Sequence, residues 1–230
     1  MRAYSMNAAS EERIRHGIEL AIGLGQWPET KPLVTSVELV NATLEKAMND
    51  RKQAERAQLP VRVKVRCADL NLDQTLRSTY SACEIADGGS KGVICGALFP
   101  DGLTPVVAST GSAQHAATQL FVNRAKATKA KGADKVLEEW LPKIEAADAI
   151  LGAALEERTQ LAANRAVAFA NEEAAREDHA VAMDKIAGEV RALFPKDRKR
   201  WAMIFPSVVT RSARSARTAE NDAGETGTIV

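Results

Sequence analysis

The sequence contains few aromatic residues and few of the side chains that build catalytic or metal sites. Aromatic residues make up 4% of the 230 residues, so a hydrophobic core must consist mainly of aliphatic side chains and alanine. None of the three histidines has a glutamate three positions before it, which excludes the Glu-x-x-His motif of di-iron helical bundles. A Ser-His or Cys-His pair could arise only where the fold happens to bring distant residues together. We therefore expect no enzyme activity, no metal and no cofactor.

Cysteines and long apolar runs are scarce as well. The three cysteines, Cys67, Cys83 and Cys95, form no Cys-x-x-Cys pair, and an odd number argues against a disulfide framework. The first residues lack the apolar segment of a secretory signal, and no run approaches the roughly 18 apolar residues that a membrane-spanning helix needs. These absences predict a cytoplasmic protein with no membrane partner.

Proline and glycine are nearly absent from residues 143–194. This stretch of 52 residues contains no proline and two glycines, whereas sixteen residues are alanine. Alanine and straight-chain residues lose little entropy in a helix, so the stretch predicts one long helix. The alternative is a helical hairpin that folds near residues 156–164, where Thr159 and Asn164 are weak turn signals. We favour the long helix, which needs a bundle or an assembly around it.

Helical periodicity also occurs earlier in the chain. Ser10 is a candidate N-cap for a helix over residues 11–22, and a second helix is predicted from Thr35 to about Gln58. Pro60 predicts a tight turn. The six residues that follow it alternate in polarity as in a strand, but a lone strand would have no partner. From Val65 onward the pattern becomes helical, at positions 65, 68, 72, 76, 79, 83 and 86, so helix is the preferred interpretation.

These patterns predict an all-α fold: an elongated antiparallel helical bundle with long Ala-rich helices and a weakly structured C-terminal tail. The predicted parts are a short N-terminal helix and connector (residues 1–33), the helical bundle (residues 34–206) and an extended C-terminal tail (residues 207–230). The sequence Ala-Leu-Phe-Pro at residues 97–100 recurs at residues 192–195. This recurrence suggests that the bundle consists of two pseudo-repeats, residues 34–100 and 112–195.

Two groups of residues match functional motifs only in part. Residues 88–92 fit the Gly-x-Ser-x-Gly pattern, which works only between a central strand and a helix, so we interpret them as a loop. Glu172 and His179 belong to an acidic cluster that we interpret as a solvated helix face. The other members of this cluster are Glu173, Glu177, Asp178 and Asp184.

Positive charge is concentrated in one short segment, residues 191–217, which we call the basic window. It contains eight basic residues and one acidic residue, a net charge of +7. Basic groups beside an aromatic ring can bind phosphates and stack on bases, whereas a protein partner would offer an acidic face. In a third interpretation Trp201 packs on the bundle end and the charges are solvated. The candidate partner-binding residues are Lys196, Arg198, Lys199, Arg200, Trp201, Arg211, Arg214 and Arg217.

We therefore expect a non-catalytic structural or self-assembling helical subunit, a scaffold or a component of a filament or oligomer. Ala-rich helix faces approach closely and pack over long lengths, so the predicted partner is a second copy, in a homo-oligomer or polymer formed through helix faces and the C-terminal tail. The alternative is a nucleic-acid-associated protein that uses the basic window, residues 191–217. We favour it less, because the whole chain has a net charge of only +1.

Overall fold

The computed structural model describes residues 7–205, and all the regular elements in this range are helical. The all-α prediction is confirmed. The predicted tail, residues 207–230, lies outside the described residues. In chain order the α-helices are α1 (Ser10–Gly25), α2 (Val34–Ala86), α3 (Val93–Leu98), α4 (Thr104–Val107), α5 (Ser112–Ala127), α6 (Ala133–Leu193) and α7 (Arg198–Ile204), with a 3-10 turn, Lys31–Leu33, before α2.

Helix α6 confirms the prediction of one long helix rather than a hairpin. It runs for 61 residues without interruption and includes nearly all of the Ala-rich stretch. It also begins ten residues before that stretch, so that Pro142 lies inside the helix. The alanines and straight-chain residues between 143 and 193 favour this continuity.

Helix α2 continues through Pro60, where we predicted a tight turn, and this prediction was wrong. Proline has no N–H to donate to the carbonyl of residue 56 and costs about 3 kcal/mol inside a helix. The exposed ring of Pro60 lies on the solvent side, and the apolar side chains that follow on the opposite side are buried. Their burial offsets the local cost, at about 1.5–3 kcal/mol for each large aliphatic side chain. The buried residues of this stripe are Val61, Val65, Ala68, Leu72, Leu76, Thr79 and Cys83.

The chain forms two compact units, which divide it between residues 52 and 53 and between residues 167 and 168. We call residues 53–167 the central unit and the described residues on either side the terminal unit. Helices α2 and α6 contribute to both units. The boundaries predicted at residues 33/34 and 206/207, and the two pseudo-repeats, stay predictions.

The central unit has an aliphatic core with a small aromatic group at one point. Phe99 follows the end of α3 and packs against Phe121 and Tyr80, with ring centroids 4.8 and 5.2 Å away. Contacts between α2 and α6 in this unit show that the two helices are antiparallel. The residue numbers of the contacting residues increase along α2 as they decrease along α6. These pairs are Glu55 with Arg165, Gln58 with Leu161 and Lys64 with Glu157.

The terminal unit packs α1 and α7 with the first part of α2 and the last part of α6. Its core contains Leu20 and Leu24 of α1 together with Ile186 and Val190 of α6. Helix α1 approaches α2 very closely at Gly17, where an added Cβ would lie 2.1 Å from the side-chain oxygen of Asn41. A larger residue at position 17 would therefore collide with the side chain of Asn41 on α2.

The burial of Leu151 gives a direct test of the packing of α6. Leu151 is 0% exposed, whereas the neighbouring Ile150 is 57% exposed. We expect Leu151→Ala to lower the free energy of unfolding by about 2–5 kcal/mol, because it removes buried methyl groups and leaves a cavity. Ile150→Ala is the matched control and is expected to change it by less than about 0.5 kcal/mol. Urea unfolding of both variants checks this, and equal effects would contradict the packing of α6 described above.

Candidate functional site

In the described part of the basic window, some of the candidate binding residues are packed into the terminal unit and others are exposed. Arg200 and Trp201 are the packed ones. The guanidinium of Arg200 lies over the rings of Trp27 and Phe194, 4.7 and 4.8 Å from their centroids, and pairs with Asp197. The indole N–H of Trp201 donates to the carbonyl of Phe194 at 3.1 Å. Trp201 is therefore half-buried against the bundle end, and its ring serves the core of this unit.

The exposed residues are Lys196, Arg198 and Lys199, beside this packed pair. Lys196 lies in the turn between α6 and α7 with a φ of 70°, and Arg198 and Lys199 begin α7. These three cations are presented to solvent within four residues of one another. The remaining predicted residues of the window, Arg211, Arg214 and Arg217, lie outside the described residues.

The carboxylate of Glu172 on α6 is 1% exposed and joins polar groups from three helices of the terminal unit. It accepts hydrogen bonds from the hydroxyl of Ser10 on α1, from Arg51 on α2 and from Arg176 one turn along α6, the last at 2.7 Å. Arg176 also donates to Ser10 at 2.6 Å. One buried carboxylate thus connects three helices, and we call these four residues the Glu172 cluster.

Two sequence-based interpretations are corrected by the Glu172 cluster. Ser10 does not cap α1 as predicted, because its hydroxyl bonds to Glu172 and the N-cap position is Ala9. Glu172 and His179 do not belong to a solvated acidic face, since both are buried and hydrogen-bonded. The other members of that cluster, Glu173, Glu177, Asp178 and Asp184, are exposed as expected.

The environment of Glu172 lowers its pKa. Burial by itself would raise the pKa, but the hydrogen bonds from Ser10 and Arg51 and the positive charges of Arg176 and Arg51 outweigh it. The carboxylate is therefore ionised in the folded protein at neutral pH. Because its pKa is lower in the folded state, this group stabilises the fold above about pH 4.5 and loses that contribution as the pH falls.

Glu172→Gln is expected to lower the free energy of unfolding by about 1–3 kcal/mol at pH 7, because it removes the charge that Arg51 and Arg176 contact. The matched control is Glu173→Gln at the adjacent exposed position, with an expected effect below about 0.5 kcal/mol. Urea unfolding at several pH values measures both. The difference between wild type and Glu172→Gln should shrink as the pH falls below about 4.5, and a constant difference would disprove the charged contact.

His179 of α6 is fully buried and contacts α2. Its Nε2 lies 2.8 Å from the side-chain oxygen of Asn41, whose amide group donates to the carbonyl of Ile14 on α1. Burial, together with the positive charges of Arg13 and His16, lowers the pKa of His179 to about 4. The imidazole is therefore neutral at pH 7 and holds α2 and α6 together through a hydrogen bond.

The lowered pKa of His179 predicts a loss of stability in mild acid. The unfolded chain binds this proton near pH 6.5, whereas the folded protein binds it only near pH 4. Stability should therefore fall between these two values, by at most about 3 kcal/mol from this residue, at about 1.36 kcal/mol for each unit of pKa. His179→Gln retains a hydrogen-bonding side chain and should flatten the curve of unfolding free energy against pH in that window. An unchanged slope would show that other groups cause the acid sensitivity.

The central unit contains a second buried carboxylate, Asp148 of α6. It contacts His115 Nδ1 at 2.8 Å and accepts a hydrogen bond from Gln119, both on α5. The imidazole of His115 packs over Gly152, where an added Cβ would lie 3.3 Å from Cε1 of the ring. Asp148 thus joins α5 to α6 in the way that Glu172 joins three helices in the terminal unit.

The loop at residues 88–92 has the structure predicted for it. Gly88 and Gly89 have φ values of 95° and 98°, in the region that favours glycine. The carboxylate of Asp87 before them accepts hydrogen bonds from the backbone N–H groups of Gly92, Ile94 and Cys95, which holds the start of α3. The Gly-x-Ser-x-Gly pattern is therefore part of a helix-to-helix loop.

Comparison with known protein families, with curated proteins and with solved structures gives no match. Within residues 7–205, none of the helices contains an apolar stretch long enough to cross a bilayer. In the same range no three His, Cys, Asp or Glu side chains come together in a group that could hold a metal ion.

Proposed function

We propose that this protein is a non-catalytic structural subunit that assembles with copies of itself through helix faces and its C-terminal tail. The observation that carries the proposal is a stripe of exposed apolar side chains on α2 in the central unit. Leu59, Val63 and Leu70 are 57%, 48% and 60% exposed. We call these three residues the α2 stripe.

The three residues of the α2 stripe lie on one side of the helix. At 3.6 residues per turn, Val63 and Leu70 are about 40° and 20° around the axis from Leu59. The exposed thiol of Cys67 lies along the edge of the same face, about 80° from Leu59. Arg66 is exposed on the same face, between Val63 and Leu70. Single exposed apolar residues are common, but three on one side of a helix over three turns favour a face that packs against another protein.

We propose that the partner of this face is a second copy of the chain. When a helix face packs against the same face of a second copy, the interface is symmetric. The same residues of both subunits then bury apolar surface against each other. The Glu172 cluster and the Asp148 contacts support the same role, because their polar side chains bind one another and connect helices. The odd number of cysteines supports the proposed cytoplasmic location.

The alternative function, binding of nucleic acid, depends on the basic window. Lys196, Arg198 and Lys199 are exposed and suited to phosphate contacts. Two other predicted contacts are less suited, because Arg200 stacks on Trp27 and Phe194 and the indole of Trp201 is bonded to the backbone. The ring of Trp201 is half-buried in the terminal unit, so only part of it is open to a base. We therefore favour a protein partner for the basic window.

The double substitution Leu59→Lys, Leu70→Lys tests the proposed assembly. We expect the wild type to form a defined oligomer or polymer at tens of micromolar, and the variant to dissociate about 100-fold more readily, because each leucine is worth about 1–2 kcal/mol at such an interface. Leu120→Lys, at an exposed position on α5, is the matched control and should leave assembly unchanged. Light scattering measures the mass, and circular dichroism should show equal helicity in the three proteins.

Two outcomes would contradict the proposal. One is a monodisperse monomer for the wild type under these conditions. The other is sub-micromolar binding of DNA or RNA at about 150 mM salt, which would favour the alternative. In that case the logarithm of the binding constant should fall with the logarithm of salt concentration at a slope near −6, about 0.9 for each of the seven excess charges.

A further inference from the structure

A groove of about 410 Å³ lies between α1 and the first part of α2, within the terminal unit. Its apolar lining includes Ile14, Ile18 and Ile22 of α1 and Val34 of α2. Ile18 and Ile22 are 52% and 62% exposed, so the groove offers apolar surface directly to solvent. A chain segment with small aliphatic side chains could bury this surface.

The two titratable residues that line the groove are both acidic. Glu38 and Glu45 of α2 are exposed, and neither forms an ion pair with another residue in the described range 7–205. They are seven residues apart, which corresponds to two helical turns and about 10.5 Å along α2. The lining of the groove is therefore mainly apolar, with two negative charges at a fixed separation.

Residues 207–217 of the same sequence have the complementary chemistry. Val208 and Val209 are followed by Arg211, Arg214 and Arg217 at intervals of three residues. In the polyproline II conformation three residues span about 9 Å and every third side chain returns to the same side of the chain, which fits the separation of Glu38 and Glu45. The two valines can pack on the isoleucines while two successive arginines pair with the two glutamates.

The position of α7 favours a segment from a second copy. The backbone of Ile204 lies against Gly23 of α1, where an added Cβ would be 2.5 Å from the carbonyl oxygen of Ile204. Gly23 is nine residues from Ile14, which is two and a half turns, so it faces the opposite side of α1 from the groove. The described chain thus ends on the side of α1 that faces away from its own groove.

We propose that the groove between α1 and α2 binds the basic segment, residues 207–217, of a second copy of this chain. This inference rests on the proposed function and identifies the surface that receives the C-terminal tail. The apolar contacts fix the segment in the groove, and the Arg-Glu pairs set its direction and position. Because these pairs lie at the surface, salt weakens them, and binding should decrease as ionic strength rises.

Charge reversal in the full-length protein tests the pairing. One variant carries Glu38→Arg and Glu45→Arg, and a second carries Arg211→Glu, Arg214→Glu and Arg217→Glu. In each variant alone, the groove and the segment carry charges of the same sign and repel each other. Each variant should therefore show at least tenfold less association between copies than the wild type. A mixture of the two should restore association, because each then supplies the segment that fits the groove of the other. Reversal of Glu173 and Glu177, exposed on α6, is the matched control and should have no effect.

A cross-link separates this proposal from the assembly through the α2 stripe. All proteins carry Cys67→Ser to remove the exposed thiol. Ala42→Cys places a thiol in the groove of one copy, and Ser212→Cys places one in the segment of another, and a short bismaleimide joins them. We expect a covalent dimer from the mixture, and at least tenfold less with Ala174→Cys, an exposed position on α6, in place of Ala42→Cys.

The outcomes distinguish a failure of the groove proposal from a failure of assembly through the α2 stripe. Adding Leu59→Lys and Leu70→Lys should leave the groove cross-link detectable even if light scattering shows that the stripe assembly is lost. A cross-link that forms only when one chain carries both thiols would show that the segment occupies its own groove, and would overturn the proposal. Equal cross-linking at the control position, or no rescue in the mixture of charge variants, would overturn it as well.

Discussion

The structure depends on satisfying each polar side chain that is buried where helices α2 and α6 meet. The aromatic-poor core is built from small and aliphatic side chains, which pack helices closely but do not by themselves favour one alignment over another. Glu172 needs a donor from α1 and cationic donors on α2 and α6, and His179 needs Asn41. Burying a carboxylate without such donors costs several kcal/mol. A shift of α6 by one turn would leave Glu172 without Arg51, so these bonds fix the alignment of the helices.

Helical content could be predicted from the sequence because it depends on local preference and period. The predicted positions from 65 to 83 repeat at helical spacing and are all buried, whereas position 86 is exposed and the buried Val61 was not predicted. The Ala-rich stretch formed one helix for the same reason. The turn at Pro60 was predicted wrongly because the rule for proline is local. Whether a helix continues past a proline depends on how much apolar surface the helix buries before and after that residue. The residues that cover this surface are far away in the sequence.

The buried polar residues could have been found from their positions in the helical repeat, although their chemistry suggested exposure. Glu172 and His179 lie on the same side of α6 as Ala175 and Met183, at intervals of three and four residues. Their residue types predicted exposure to solvent, whereas their positions on the helix predicted burial. The positions gave the correct result. The placement of Arg200 had no such signal. It stacks on Trp27 and Phe194, and nothing local to residue 200 indicates that Trp27 will be there.

The three cysteines differ enough in their surroundings to make the protein selective in its covalent chemistry. Burial, together with the nearby Cys95 and Asp87, raises the pKa of Cys83 to about 12, and burial with the neighbouring Asp87 raises that of Cys95, so neither supplies much thiolate. Cys67 is exposed at the edge of the α2 stripe. Alkylating reagents should therefore modify one position first. A fluorophore attached there would lie beside the surface proposed for assembly, and the natural sequence thus contains its own labelling site for following that contact in solution.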